Sequence, residues 1–353
     1  VYYETVTLGE TTGGVDVEIR GPQFGVAADD EYRGTEAIIK PAAGEPAIDA
    51  VDYPDTVALD GFTVVSSSQA TLNQSDVLQP GATNVTDTVV LDADQNVTIR
   101  NTAVSHEAQQ RVENSTTGDV VEDYSLADAP VNATTGILLN DTGANVTLNN
   151  VFVGNHTEVS TTVDSVEVAA ANNLTVDESE FATNGGASPV TDTDRGIGLN
   201  VSAGSTVDVT ASTFDGHGAD GALLEDGSAA VTLNATDVTD SGGDGVNVTS
   251  DGTLNIEYGS SVASSDKIGL NVTAGATVNV SDSSVTENTG EGVVLDESDI
   301  DAAINVTLIE ANGGVGLNVT TGANDVTVDN LDGNFTGNSF IDNGVSVNLD
   351  TAA

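Results

Sequence analysis

One short phrase recurs along this chain at a nearly fixed interval. Ile197-Gly-Leu-Asn-Val, Ile268-Gly-Leu-Asn-Val and Val315-Gly-Leu-Asn-Val each lead, after a small turn, into a second run: Val207-Asp-Val, Val278-Asn-Val and Val326-Thr-Val. Ile268, Leu270 and Val272 fall on one face, with Asn271 and Thr273 on the other. Val278 and Val280 repeat the arrangement, opposite Asn279 and Ser281. A period of two marks a strand with one buried face. Two strands this short barely hold together alone in water, so each phrase must be one unit of something longer. Looser copies start at Ile137, Ala222, Val246, Val293 and Val345. From Gly221 onward the starts lie roughly 22 to 30 residues apart, the spacing of a solenoid or array.

Two or three short strands per unit, with no helical periodicity, imply an all-β parallel β-helix. Its coils stack at about 4.8 Å, and their inward Val, Ile and Leu pile into one core. A β-sandwich is the alternative, since it also has many short strands, but it does not require the same phrase to recur. The 353 residues suit one solenoid, residues 1–353, with no separate second domain. At about 24 residues per turn they make roughly 12 to 14 coils. Units close in polar stretches such as Asp215-Gly-His-Gly-Ala-Asp-Gly, Asp240-Ser-Gly-Gly-Asp-Gly, Glu287-Asn-Thr-Gly-Glu-Gly and Asn312-Gly-Gly-Val-Gly. Glycine there is expected to supply positive φ at sharp corners. Two stretches break the period and read as insertion loops. One lies near 102–135, with His106, Arg111, Glu113 and Tyr124; the other lies near 181–196, with Pro189 and Arg195.

The charge is extreme: 56 acidic against 7 basic residues, a net −49. Hydrophobic residues make up 38%, and their regular pattern belongs to a folded chain rather than a disordered acidic tail. A fold this acidic repels itself at low ionic strength. Molar salt cuts the screening length to about 3 Å, so the composition points to a halophile. It argues against nucleic acid as a partner and against docking on anionic lipid. No run approaches a membrane-spanning length. Cysteine is absent, which removes disulfides and thiol chemistry.

Three stretches carry a family resemblance: Val1-Tyr-Tyr-Glu-Thr-Val-Thr-Leu, Ile38-Ile-Lys-Pro and Val57-Ala-Leu-Asp-Gly-Phe-Thr-Val. They resemble the opening turns of right-handed parallel β-helix proteins of the pectate-lyase-like superfamily, and the later units resemble its generic repeat. The resemblance implies a single-stranded right-handed solenoid. It does not fix an activity, because the superfamily holds lyases, hydrolases, adhesins, phage spikes and surface-layer proteins. Acidic members with this opening look like secreted haloarchaeal surface glycoproteins. Relatives normally cap the first turn, whereas this sequence opens and closes mid-unit. Open solenoid ends are sheet edges that invite self-association.

Asn-x-Ser/Thr is the densest local motif. It occurs at Asn73, Asn84, Asn96, Asn114, Asn132, Asn140, Asn145, Asn155, Asn173, Asn200, Asn234, Asn247, Asn271, Asn279, Asn305, Asn318 and Asn334. These seventeen acceptors compare with about six expected by chance. The same triplet is also what an alternating strand looks like, with Asn and Thr out and Val in. Asn200, Asn271 and Asn318 occupy one place in their units. They form either a stripe of N-glycans along one flank or an internal ladder of amides.

Catalytic chemistry has fewer anchors. Asp215, His217 and Arg195 are the candidates for acid–base work of a lyase or hydrolase, with Asp220 beside the first two in one corner. The three histidines, His106, His156 and His217, lie far apart and suggest no metal site. Asp240 and Asp244 could offer oxygens to Ca²⁺ but lack a calcium-loop spacing, and no other cofactor is implied. The pattern therefore points to a non-enzymatic, extracellular N-glycosylated structural protein of a filament, sheath or surface layer. The alternatives are a polysaccharide-processing β-helix enzyme and a glycan-binding adhesin or viral spike.

Overall fold

The computed structural model describes residues 6–7, 16–26, 37–39, 48–49, 56–65, 70–72, 78–80, 89–91, 96–105, 110–113, 120–124, 135–139, 145–154, 164–168, 173–182, 196–297, 299–305, 307–319, 325–328 and 339–349. These contain strands and turns and no helix. Three long sheets run the length of the stack. The first has eleven strands, from Val17–Arg20 to Asp325–Val328; the second has eleven, from Ile38–Ile39 to Ser339–Ile341; the third has ten, from Val89–Leu91 to Val345–Leu349. Every pairing within them is parallel, and each strand's partner is the equivalent strand one coil away, as in Thr206–Thr210 beside Ala230–Asn234. This is a parallel β-helix. A sandwich, whose facing sheets are antiparallel, is excluded.

The recurring phrase forms the third sheet, and the run that follows it forms the first. The second sheet gave no period-two signal, for a physical reason. From Phe152–Gly154 onward its strands are three residues long and turn the middle side chain inward: Val153, Phe181, Phe214, Val238, Val262, Val285 and Ile309. One apolar residue between polar neighbours carries no alternation. Together the inward rows make a single core whose members are almost all fully buried.

The even spacing behind the estimate of 12 to 14 coils holds only in part. The first inward residues of the first sheet are Val17, Val57, Val97, Val146, Leu174, Val207, Val231, Leu254, Val278, Ala302 and Val326, in register. From Val207 they are 23 or 24 residues apart. Before it they are 28 to 49 apart. Eleven rungs are described, and antiparallel pairs branch off between the early ones. Gln110–Glu113 pairs with Val120–Tyr124 inside the expected 102–135 insertion, and Ala70–Leu72 pairs with Leu78–Pro80 in one the sequence did not reveal.

The role expected of glycine needs correction. At the corner between the first and second sheets the positive-φ residues are Gly61, Asn101, Asn150, Glu178, Ala211, Ala235, Asp282 and, in one rung, the pair Tyr258 and Gly259. At the corner between the second and third they are Gly216, Asp240, Ser264, Glu287, Ala311 and Asp342. Gly61 and Gly259 help turn the first corner, but of the glycines in the polar closing stretches only Gly216 has a positive φ. Its neighbours in that column are mostly Asp, Glu and Ser, which tolerate a left-handed turn when their backbone is held on both sides. The glycines that open each third-sheet strand serve close approach instead. A Cβ on Gly221, Gly245, Gly269 or Gly292 would stand 2.6–2.7 Å from the carbonyl oxygen of the next glycine in the column.

Candidate functional site

The second-to-third corner brings the catalytic candidates into view and separates them. His217 is buried, with its ring against the stacked pair Phe181 and Phe214, whose centroids are 4.7 Å apart. Its Nε2 lies 3.1 Å from the Phe181 carbonyl. A carbonyl only accepts, so Nε2 carries the proton. Nδ1 is buried with no hydrogen-bond partner. Burial pushes the imidazole pKa down to about 4, against the pull of the Phe181 carbonyl. Asp215 instead accepts from the Thr239 hydroxyl at 2.6 Å. The two do not form an acid–base pair, and Arg195 lies outside the described residues, as do His106 and His156.

His217 belongs to a structural column. The equivalent positions in later coils are Ser241, Ser265, Asn288, Asn312 and Asn343, and all but the last are buried. Asn288 donates to Asn312 Oδ1 at 2.8 Å, and Asn312 to Asn343 Oδ1 at 2.9 Å. Asn312 Nδ2 also reaches the Val285 carbonyl at 3.1 Å, and Asn343 Nδ2 the Ile309 carbonyl at 2.9 Å. His217 makes the same bond to Phe181. An internal amide ladder therefore exists, but on asparagines outside any Asn-x-Ser/Thr motif. A second buried column, of hydroxyls, lines the first corner: Thr102, Ser179, Ser212, Thr236, Ser260, Ser283 and Thr307. Ser212, Thr236 and Ser283, for example, return a bond to the carbonyl two residues back.

The predicted column Asn200, Asn271 and Asn318 is a column, with Leu223, Asn247 and Val294 between them. Asn200, Asn247 and Asn271 each meet a carboxylate from the preceding coil, whereas Asn318 Oδ1 accepts from Asn348 Nδ2 at 2.8 Å. Asn200 Nδ2 donates to Asp164 at 2.9 Å, Asn247 Nδ2 to Asp220 at 2.9 Å and Asn271 Nδ2 to Asp244 at 2.8 Å. The second oxygen of each carboxylate accepts the backbone N–H of Ile197, Asp244 or Ile268. Burial raises Asp164 to about 6 and also raises Asp220, against these bonds. Asp244 thus faces N–H donors with both oxygens, while Asp240 is exposed at the corner. No group of three or more His, Cys, Asp or Glu side chains in position to hold a metal occurs among the described residues.

The remaining acceptors divide by exposure. Asn96, Asn145, Asn173 and Asn279 are exposed, and all lie on the first sheet; Asn234, Asn305 and Asn318 are half-buried. Asn173 donates to Asn145 and Asn145 to Asn96, at 2.8 and 2.7 Å. Asn73, Asn84, Asn114, Asn132, Asn140, Asn155 and Asn334 lie outside the described residues.

That first sheet is the candidate functional face. From Asn145–Asn149 to Asp301–Asn305 its strands are five residues long and put three side chains outward per rung. The middle row is Thr147, Thr175, Asp208, Thr232, Asn255, Asn279 and Ala303. The rows beside it contain Asn145, Asn173, Thr206, Thr253 and Thr277, and Asn149, Asp177, Thr210, Asn234, Glu257 and Ser281. Hydroxyls, amides and carboxylates on short side chains thus repeat at the strand spacing over a broad face. At its N-terminal end stands a charged cluster. Arg100 pairs with Asp60 at 2.8 Å and with Glu18, Arg20 pairs with Glu18 at 2.6 Å, and the Arg20 guanidinium lies 4.6 Å over Phe24. The Arg20 bond, foremost, holds the Glu18 carboxyl below its usual range.

Residues 195–352 match a family described as a right handed beta helix region. The chain is a right-handed parallel β-helix. No curated protein matches it in sequence. Among solved structures, the Dettilon tailspike protein is similar at a TM-score of 0.59 and 14% identity, over 99% of this chain and 60% of the tailspike. This chain therefore spans less than two thirds of that protein. A periplasmic alginate epimerase and the A-module of a mannuronan C-5 epimerase from Azotobacter vinelandii give TM-scores of 0.36 and 0.35, at 10% and 12% identity. Each is matched over 85% of this chain, covering 77% and 87% of theirs. The expectation of a protein without enzymatic activity is corrected here. Two of these three chains are epimerases, and a stack of β-coils does not by itself exclude catalysis.

Proposed function

We propose that this chain is an extracellular β-helix rod that engages polysaccharide along the outward face of its first sheet. One observation carries the reading: three in-register rows rich in hydroxyl, amide and carboxylate groups on one face, with inter-strand repeats of about 4.8 Å, close to the length of one sugar ring. Short polar side chains fixed by their neighbours lose little entropy on meeting a polymer of hydroxyls. The middle row is held in place this way. Asn279 donates to Asn255 at 2.9 Å, and Asn255 to the Thr232 hydroxyl at 3.4 Å. The net charge of −49 suits work in concentrated salt, where direct hydrogen bonds outlast screened long-range forces.

Calorimetry of the purified chain against a panel of soluble polysaccharides, in molar salt, tests the proposal. Binding should weaken about tenfold when Asn255 and Asn279 are both replaced by alanine, with the fold unchanged by circular dichroism. Binding that ignores these residues, or no binding across the panel, refutes it.

A second reading rests on the four exposed acceptors, Asn96, Asn145, Asn173 and Asn279, all on this face. It makes the chain a carrier of its own N-glycans, a structural subunit of a filament, sheath or surface layer, as on a halophilic archaeon. Mass spectrometry of Glu-C peptides from protein made in a glycosylating halophilic host distinguishes the two. Sugar on these asparagines favours the second reading; bare asparagines favour the first.

A further inference from the structure

The corner between the first and second sheets departs from its pattern in one rung. In neighbouring rungs a single residue turns it: Ala211 at φ 48°, Ala235 at 49° and Asp282 at 48°. The N–H of that residue donates to the carbonyl that ends the next first-sheet strand. Ala211 bonds Asn234 at 3.0 Å, Ala235 bonds Glu257 at 3.2 Å and Asp282 bonds Asn305 at 3.1 Å. Between Glu257 and Ser260 two residues do this work, Tyr258 at φ 54° and Gly259 at φ 86°. The ladder bond passes to Gly259, which donates to the Asp282 carbonyl at 2.6 Å. Pairing on that side stops at Ile256 with Val280, whereas the rungs before and after continue one step further. One residue has been inserted, and a bulge of this kind re-aims a side chain.

The inserted residue is an aromatic. Tyr258 is 63% exposed, more than Phe24 or Ile341, the other exposed large hydrophobic residues described. A bulky side chain at positive φ is an outlier that a fold keeps only when its surroundings hold it there. The insertion adds nothing to the core, because Ser260 resumes the buried hydroxyl column and Val262 the inward row. Around Tyr258 the corner column is low, with exposed Ala211 and Ala235 on one side. The adjoining sheet rows hold Asn234, Glu257 and Ser281.

We infer that Tyr258 is a stacking platform for a neutral sugar ring at the edge of the first sheet, a deepening that rests on the polysaccharide reading above. A tyrosine offers an apolar face with a polar tip, and the neighbouring amide and hydroxyls supply hydrogen bonds in the plane of the ring. The charge sets the substrate class. Glu257 precedes Tyr258, and Asp282 is the corner residue of the next rung. A uronate polymer would meet like charge here, whereas a neutral glycan would not.

The test is titration calorimetry of the whole chain in 1 M salt against maltohexaose, cellohexaose, mannohexaose, chitohexaose and hexamannuronate. At least one neutral hexasaccharide should bind, and more tightly than hexamannuronate. Tyr258→Ala should weaken that binding about tenfold, while Tyr258→Phe, which keeps the ring, should stay within about threefold. Deleting Tyr258 leaves Gly259 to turn a one-residue corner, so thermal stability should hold while binding falls as in the alanine variant. Neutral-sugar binding that survives Tyr258→Ala overturns this inference and leaves the polysaccharide reading standing. Preference for hexamannuronate overturns the assigned class. Absence of binding to every probe overturns both.

Discussion

Replacing Gly245 by alanine should open the stack at one rung. The added Cβ would lie 2.3 Å from Val262 Cγ1, 2.7 Å from the Gly269 carbonyl oxygen and 2.8 Å from Ser265 Oγ. Ordinary contact needs about 3.4 Å or more, so the valine must retreat by about 1 Å and the carbonyl by about 0.7 Å. That carbonyl accepts the Val246 N–H at 2.8 Å, and the Gly245 N–H reaches the Ile268 carbonyl at 2.8 Å, so the rungs cannot part without stretching both bonds. Overpacking of a core costs about 1–3 kcal/mol, and two weakened buried hydrogen bonds add about 1 kcal/mol each. The total is about 3–5 kcal/mol. Gly227→Ala is the control. Its new Cβ meets nothing closer than 3.6 Å and φ is not positive, so the expected change is nil or a gain of about 0.5 kcal/mol from a stiffer unfolded chain. Urea titration followed by far-ultraviolet circular dichroism measures both. Hydrogen exchange should show the Gly245→Ala loss concentrated in the rungs on either side, since a solenoid is coupled to nearest neighbours. Equal midpoints for the two variants would refute the close-approach account of the glycine column.

Three further outcomes follow from the buried polar groups. Asp164 keeps its proton up to about pH 6 when folded, against 3.8 ordinarily. It stabilises most below the ordinary value and loses about 3 kcal/mol as pH rises through 6; denaturation of Asp164→Asn from pH 4 to 7 should lack this fall. His217 has the opposite sign. Its pKa is depressed to about 4 from 6.5, so its share of stability is complete above 6.5 and about 3 kcal/mol is lost as pH falls toward 4. His217→Asn, which can keep the bond to the Phe181 carbonyl, should remove that acid sensitivity in the same titration. Asn312→Ala should cost about 3 kcal/mol in thermal unfolding, because it strips the acceptor from the buried N–H groups of Asn288; Asn279→Ala, exposed, should stay within about 0.5 kcal/mol.

The repeat made the coil legible because its third- and first-sheet strands alternate, as Leu270, Val272, Val278 and Val280 do. What alternation does not encode stayed hidden. The second sheet turns one residue inward per strand. The corner columns are set by neighbours 23 to 36 residues away, as Asn288 is by Ser265 and His217 by Phe181. Asn-x-Ser/Thr describes the clasped Asn271 and the exposed Asn173 alike, because the triplet records period and not surroundings. Asp215 and His217 lie two positions apart in sequence, yet one accepts from Thr239 at the surface and the other is held in the core by Phe181. The tyrosine insertion could have been seen as one extra residue between Ile256 and Val262, had the rungs been aligned on their buried hydroxyls.

Equal rung length gives the rod an adjustable extent. Leu254, Val278, Ala302 and Val326 stand in one row at steps of 24 residues. A block of that size, copied or excised whole, would rejoin strands whose inward and corner residues already match in kind. The molecule's reach could then change in increments of one strand spacing without a new core being composed.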